Sequence, residues 1–400
     1  MKQTRKLEHL PPYLFARLDR VIHDKLQRGK DLIILSKSDP EKPTNAMIVE
    51  SLREQAVQPE NHHYPDFDGL AELRGRLAEW YAVKHGVTLD PEKEILPLAG
   101  SKEGIIHLCW ALLDPGDIAL IPDPAFPSYR TGTILAGAEP YDLPLRPPLF
   151  RPDFAAIPQE IARRAKLMFL NYPNNPSGAT VDLAFWQEAV AFAAEHDLIL
   201  INDHAYAMTC FRPGMAPSLL STPGSRDRCL EFFTFSKAFH MAGWRLGAAV
   251  GNADILQSLR LIETHVNAGI FYPIQYAGAE ALREGLKPNY FARDNADYQE
   301  RLELLVKFFR QWGWQLNQPE ATVYLWVPAP AGMDGDEFAQ FLLEQADIVV
   351  SPGSGFGREG KGYVRFCVTY STDSIRRAVE AMTRSFRRYG IHPPQPNAAR

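Results

Sequence analysis

Leu198-Ile199-Leu200-Ile201-Asn202-Asp203 is a run of four apolar residues that passes directly into two polar ones. Leu167-Met168-Phe169-Leu170 runs in the same way into Asn171, and Glu231-Phe232-Phe233-Thr234-Phe235 into Ser236 and Lys237. Ile118-Ala119-Leu120-Ile121 is a fourth run and Leu246 to Val250 a fifth. Short, uniformly apolar runs bounded by turn formers predict strands buried on both faces. Helical patterns lie between them. Ser101 is placed to cap a helix in which Ile105, Leu108, Cys109 and Leu112 recur at helical spacing. Asp182 is placed to cap one carrying Leu183, Trp186, Ala189, Val190 and Ala193. Strands and helices alternating in this way predict a mostly parallel sheet covered on both sides. Ligands of such sheets bind beyond the carboxyl ends of the strands. Here those ends carry Asn171 to Asn175, Asp203 and Lys237.

Outward from this centre the texture changes near Lys287. An amphipathic helix over Tyr298 to Trp312 precedes a strand candidate at Thr322 to Val327, and a second helix follows near Asp336 to Glu344. Ile348 to Val350 and Tyr363 to Val368 read as strands before a final helix from Asp373. This predicts a smaller α+β domain over 287–390, against which Pro11 to Thr44 folds back. The expected organisation is an arm and part of the small domain at 1–45, a large domain at 46–286, the C-terminal domain, and a loose tail at 391–400. The 400 residues are 46% hydrophobic and 23% charged, which excludes a disordered, collagen-like or coiled-coil chain. A formal net charge of −5 gives no electrostatic case for nucleic acid or for a membrane surface. Cys109, Cys210, Cys229 and Cys367 are scattered, so reduced thiols are expected, with no disulfide framework and no metal site. Met1 to Lys6 is basic but no apolar segment follows it, and no stretch approaches about 18 apolar residues. A soluble, unexported, cytoplasmic protein is expected.

The chemistry sits in a few strings. Lys237 follows a strand in Thr234-Phe235-Ser236-Lys237, and Arg245 lies eight residues on, in Gly243-Trp244-Arg245-Leu246-Gly247. A lone lysine is ordinarily a solvated surface residue; hydroxyls, a lysine and a following arginine together suit a phosphate. Asp203 stands at a strand end in Asp203-His204-Ala205-Tyr206, a string that by itself is as readily a turn or a helix cap. Asn171-Tyr172-Pro173-Asn174-Asn175-Pro176-Ser177-Gly178 is rich in turn formers, and Asn175 between rigid neighbours could fix an amide. Gly100-Ser101-Lys102-Glu103-Gly104 opens a helix, whose free N–H groups and positive dipole end suit an anion. Phe126, after the next strand, is either a core aromatic or a ring-stacking one. Pyridoxal phosphate needs such a set: a lysine for the Schiff base, a carboxylate for the ring nitrogen, donors to the phenolate oxygen, an aromatic face and a phosphate cradle.

These strings resemble the class I and II aminotransferases, which are fold-type I enzymes of pyridoxal phosphate. Leu10-Pro11-Pro12-Tyr13-Leu14-Phe15, Ser351-Pro352-Gly353-Ser354-Gly355-Phe356-Gly357 and Tyr363-Val364-Arg365-Phe366 narrow the resemblance to the branch of LL-diaminopimelate and alanine aminotransferases. It spans nearly the full chain. It implies an α/β fold with a mostly parallel seven-stranded sheet in the large domain and a smaller α+β domain. It implies that Lys237 carries the cofactor and moves the proton, that Asp203 partners the ring nitrogen, and that Tyr206 and Asn175 contact the phenolate oxygen. By the same resemblance Phe126 stacks on the ring, while the Ser101 and Lys102 amides, Thr234, Ser236 and Arg245 hold the phosphate. Arg365 takes the substrate carboxylate, for which its guanidinium fork is suited. Tyr64 reaches the phosphate of the neighbouring subunit, so an obligate homodimer is implied.

Three positions depart from the resemblance. Ser36 and Ser38 stand where relatives have glycines, although the N–H of Ser38 can still face the substrate. Lys37 falls where relatives have an apolar pocket residue; it is either a solvent-facing lysine or a charge for a second substrate carboxylate. Asn267 occupies the place of the side-chain arginine of aspartate aminotransferases, which argues against a dedicated aspartate enzyme. Gly355-Phe356-Gly357-Arg358-Glu359-Gly360 fits G-x-G-x-x-G but precedes a strand, so it reads as a loop and not as a dinucleotide site. The expected activity is ping-pong transamination between an amino acid and a 2-oxo acid, of the LL-diaminopimelate, alanine, glutamate or aspartate type. A β-lyase, decarboxylase or cyclase using the same cofactor is the alternative. A non-catalytic cofactor-binding regulator is disfavoured, because about 45 residues before the large domain leave no room for a DNA-binding module beside the arm.

Overall fold

The computed structural model describes residues 4–212 and 216–394. In chain order its strands are β1 (Ile33–Ile34), β2 (Ile95–Leu98), β3 (Ile118–Asp123), β4 (Glu139–Pro144), β5 (Ala165–Leu170) and β6 (Ile199–Asp203). They continue with β7 (Cys229–Thr234), β8 (Gly247–Gly251), β9 (Tyr324–Pro328), β10 (Ile348–Val349), β11 (Ser351–Pro352) and β12 (Tyr363–Cys367). Seven of them form one sheet in the order β2-β8-β7-β6-β5-β3-β4. Strands β7, β6, β5, β3 and β4 run parallel, while β8 is antiparallel to both of its neighbours.

Period-two alternation explains why these runs are apolar throughout. Ile118 and Leu120 of β3 and Met168 and Leu170 of β5 enter one core cluster, with Trp80, Trp186 and Phe235. Ala119, Ile121, Leu167 and Phe169 point the other way into a second cluster, with Leu108, Tyr129 and Leu256. Each strand is therefore buried on both faces, as helices on both sides require. The sheet's edge strands are β2 and β4, and the exposed one is β4. Its Glu139, Pro140, Asp142 and Pro144 are a composition that an exposed edge tolerates and that hides the strand in the sequence.

The C-terminal part builds its own core around a three-stranded antiparallel sheet, β11-β12-β9, with Phe309, Phe338 and Phe386 packed on it. The expected 298–312 helix spans Ala292–Gln311, and the final helix Thr372–Tyr389. The N-terminal segment joins this part directly: β1 pairs in parallel with β10, Ile33 opposite Ile348. The tail is held further along than expected. Ile391 is buried, and the His392 carbonyl accepts from the Ala331 N–H at 3.2 Å. The remaining tail from Gln395, like Met1 to Gln3, lies outside the described residues. Ser101 is not a cap but the first residue of its helix. Gly100 precedes it at φ 96, a left-handed conformation that serine would not adopt readily. The G-x-G-x-x-G stretch is a turn before β12, as expected. The Asp123 carboxylate at the end of β3 accepts from the N–H groups of Arg358 and Glu359, at 3.0 and 3.1 Å.

Candidate active site

Strands β5, β6 and β7 end side by side, and a cavity of about 350 Å³ opens beyond them. Asp203, the last residue of β6, forms its floor. Tyr129 donates its hydroxyl to Asp203 Oδ2 at 2.8 Å, while Oδ1 is buried with no hydrogen-bond partner. Asn171, where β5 ends, donates to the Asp203 carbonyl at 2.5 Å and accepts the Asn175 N–H at 2.8 Å, so one side chain locks two strand ends. Burial raises the Asp203 carboxyl to about 6, against a smaller opposing pull from Tyr129. Beneath it lies Glu231, fully buried. It accepts from Asn202, Ser218 and the Leu219 N–H and faces His204 at 3.5 Å. Burial alone would raise this carboxyl; the His204 ring and the hydrogen bonds outweigh it and hold Glu231 down to about 2.

Lys237, just past β7, donates to the Ser38 carbonyl at 3.1 Å and the Ser38 hydroxyl at 2.9 Å. Burial lowers its amine below the ordinary lysine value. Arg365 comes from the middle of the small sheet and is 1% exposed. It donates to Asn175 Oδ1 at 2.7 Å and to the Ser36 carbonyl at 2.9 Å, while its Nε has no partner. Tyr324 and Phe356 lie under its guanidinium at 4.2 and 4.7 Å, a setting that suits a delocalised cation. The Tyr206 and Tyr324 hydroxyls are hydrogen-bonded to each other.

On the opposite wall, Thr234 donates to Ser236 Oγ at 3.0 Å, with Arg245 and the start of the Ser101–Leu112 helix beside them. A side chain at Gly100 would collide with the Arg245 guanidinium, and one at Gly247 would sit 2.8 Å from the Ser101 nitrogen. Gly247 is thus required by close approach to backbone, and Gly100 by its φ of 96. The Lys102 ammonium turns to the Tyr13 hydroxyl at 3.0 Å and lies over its ring.

The cavity wall gathers Lys37, Ser38, Ser101, Lys102, Phe126, Asn175, Asp203, Tyr206, Thr234, Ser236, Lys237, Arg245 and Arg365. Tyr64 is elsewhere, 88% exposed on the surface. Asn267 is also away from this wall. It caps the Ala253–Val266 helix and donates to Glu103 and Glu263 at 2.9 and 2.7 Å. Those glutamates and His107 place donor atoms within 4.8 Å of one another, and the Asn267 amide bridges the two carboxylates. Tyr129, Tyr324 and Asp19 belong to the surroundings of the site but carried no sequence signal, and Phe15 and Ser351 entered only as members of strings that narrow the resemblance, without a role of their own. Each is an ordinary core or surface residue until the fold brings it in.

The family model described as "Aminotransferase class I and II" matches residues 30–382. The chain belongs to the class I and II aminotransferases. It is 45% identical over 388 residues to an LL-diaminopimelate aminotransferase of Moorella thermoacetica, covering 96% of this chain and 98% of that one. To another from Desulforudis audaxviator it is 43% identical, covering 96% of each. Substrate-bound BacF from Bacillus subtilis superposes with a TM-score of 0.93 at 35% identity, covering 99% of this chain and all of that one. The aminotransferase is a pyridoxal phosphate-dependent enzyme with the fold-type I architecture, as expected.

The residues present fit that cofactor. The unpartnered Asp203 Oδ1 is a buried acceptor facing the cavity, where a ring N–H would satisfy it. The glycine-lined helix start, the Thr234 and Ser236 hydroxyls and Arg245 offer donors to a phosphate. Lys237 places its amine on Ser38 between these walls.

Proposed function

We propose that the aminotransferase acts on LL-diaminopimelate, exchanging its amino group with a 2-oxo acid by a ping-pong route in amino acid biosynthesis. The observation that carries the reading is the convergence of Lys237, Asp203 and Arg365 on one cavity, two of them with an unpartnered polar atom. The likeness to LL-diaminopimelate aminotransferases over nearly the whole of both chains supports the substrate.

Pyridoxal phosphate, when bound, supplies an electron-withdrawing ring that stores the pair released at the substrate Cα. The chain's residues do the rest. Arg365 binds the substrate α-carboxylate in its fork, with Asn175 alongside. Asp203, ionised above about pH 6, holds positive charge at the cavity floor. Lys237 Nζ, with its amine depressed by burial, takes the proton from Cα and returns it on the other side of the exchange. Tyr206 offers a hydroxyl from the wall, Phe126 an apolar face, and Ser101, Lys102, Thr234, Ser236 and Arg245 hold the phosphate.

The same reading includes a cytoplasmic homodimer, with Tyr64 of each subunit reaching the other's site. Tyr64, Phe67 and Phe271 are each exposed large hydrophobic residues, which a second copy would cover. Four free thiols suit a reducing compartment. The large domain is taken as 46–286 and the small one as 287–390 with the N-terminal segment. The test is absorbance and turnover of the purified holoenzyme against Lys237→Ala. The wild type is expected to show a lysine-dependent visible band and stoichiometric oxo-acid formation, and the variant neither. An identical spectrum in both would reject the assignment.

A further inference from the structure

Lys37 lies between two residues that hold the site. The Ser36 carbonyl accepts from Arg365 at 2.9 Å, and Ser38 accepts from Lys237. The Lys37 carbonyl is itself fixed by the Thr369 hydroxyl at 3.2 Å. The backbone from which this side chain departs is therefore the one that spans the carboxylate-binding arginine and the reactive amine.

The Lys37 ammonium stands 2.7 Å from Asp19 Oδ1. Asp19 belongs to the Leu14–Gln27 helix, which presents Phe15, Leu18 and Asp19 to the cavity at i, i+3 and i+4 spacing. Both charges thus stand in the wall of the same cavity as Lys237. Their side chains are 38% and 57% exposed. Pairs in that setting are weakly held, so each partner can be exchanged for a ligand group at little cost. The other cations of the wall have the roles proposed above: Arg365 for the α-carboxylate, Lys237 for the proton, and Lys102 and Arg245 on the phosphate side.

We propose that the Lys37–Asp19 pair reads the far end of the substrate side chain. It opens as substrate enters, Lys37 taking a distal carboxylate and Asp19 a distal ammonium. The substrate class that satisfies both is an amino acid whose side chain ends in a second amino-acid head. A side chain ending in a carboxylate alone leaves Asp19 unpaired beside another negative charge, and one ending in an amine alone leaves Lys37 unpaired. A short apolar side chain leaves the pair closed. Specificity then comes from repulsion as well as attraction. The proposal rests on the transaminase reading above and names the residues that select its substrate.

The test is the half-reaction of holoenzyme with a single donor and no acceptor, followed by the cofactor's absorbance. The donors are 2,6-diaminoheptanedioate, 2-aminoheptanedioate, lysine and alanine. Lys37→Met is expected to slow the two donors with a distal carboxylate about tenfold or more and to leave lysine and alanine within about threefold. Asp19→Asn is expected to slow diaminoheptanedioate and lysine by a similar factor and to leave 2-aminoheptanedioate unchanged or faster. Lys37→Arg, which keeps the charge, should restore most of the rate. Alanine serves as the control for folding in every variant. Equal losses on all four donors, or no loss on any, would overturn the role of the pair while leaving the transaminase reading intact. Failure of the wild type to react with any donor would remove both.

Discussion

Asp203 combines a burial penalty with an open valence. Its carboxyl sits at about 6 in the folded chain against about 3.9 in an unfolded one, so between those values the folded state binds more protons. The contribution of Asp203 to the stability of the cofactor-free chain therefore falls as pH rises from about 4 to 6 and stays low above it. Asp203→Asn removes that dependence. At pH 7 the cofactor-free variant is expected to be more stable than wild type by about 2 to 3 kcal/mol, the difference closing as pH falls toward 4. Urea unfolding of both proteins across this range checks it, and a difference that does not change with pH would contradict it. The same substitution removes the acceptor for a ring N–H, so activity should fall at least about a hundredfold even as the empty protein gains stability. The gain and the loss have one cause: a charge placed in a dry site for a partner that is not part of the chain.

At the level of elements, the chemistry-bearing strand ends were readable because a doubly covered strand must be apolar until it leaves the sheet. Asn171, Asp203 and Lys237 mark where β5, β6 and β7 meet the cavity. Strand β2 was missed because it is four residues long and contains Pro97, and β4 because an edge strand can be polar. Tyr129 and Tyr324 were not legible, since a tyrosine's role depends on which hydroxyl the fold brings opposite it. The start of the Ser101–Leu112 helix was expected to carry a serine cap, but the positive-φ turn before it is made by Gly100. Gly100→Ala should cost about 1 to 2 kcal/mol from the left-handed φ alone. It should also weaken cofactor binding, because the added methyl displaces the Arg245 guanidinium. Denaturant unfolding and cofactor titration measure the two effects. Normal affinity in the variant would separate Arg245 from the phosphate.

For the whole molecule, the proposed sharing of Tyr64 between subunits makes a mixing experiment decisive. Lys237→Ala and Tyr64→Ala homodimers are each expected to be impaired, the first completely. In a hybrid, the site that keeps Lys237 receives Tyr64 from the other subunit and is intact. Unfolding and refolding the two variants together should therefore yield more activity than the Tyr64→Ala enzyme alone supplies. Activity no greater than the sum of the separate variants would place Tyr64 outside the partner's site.

The pairing of β1 with β10 has a consequence in time. A ribosome that has released residues up to Gly251 has made every strand of the seven-stranded sheet, and with it Asp203, Lys237 and Arg245. Ser36 to Ser38 have by then long been made, but the strand that anchors them, and Arg365 beyond it, have not. The half of the site proposed to grip the cofactor is thus the first that synthesis can complete. The half proposed to select the substrate closes only when the end of the chain returns to its beginning.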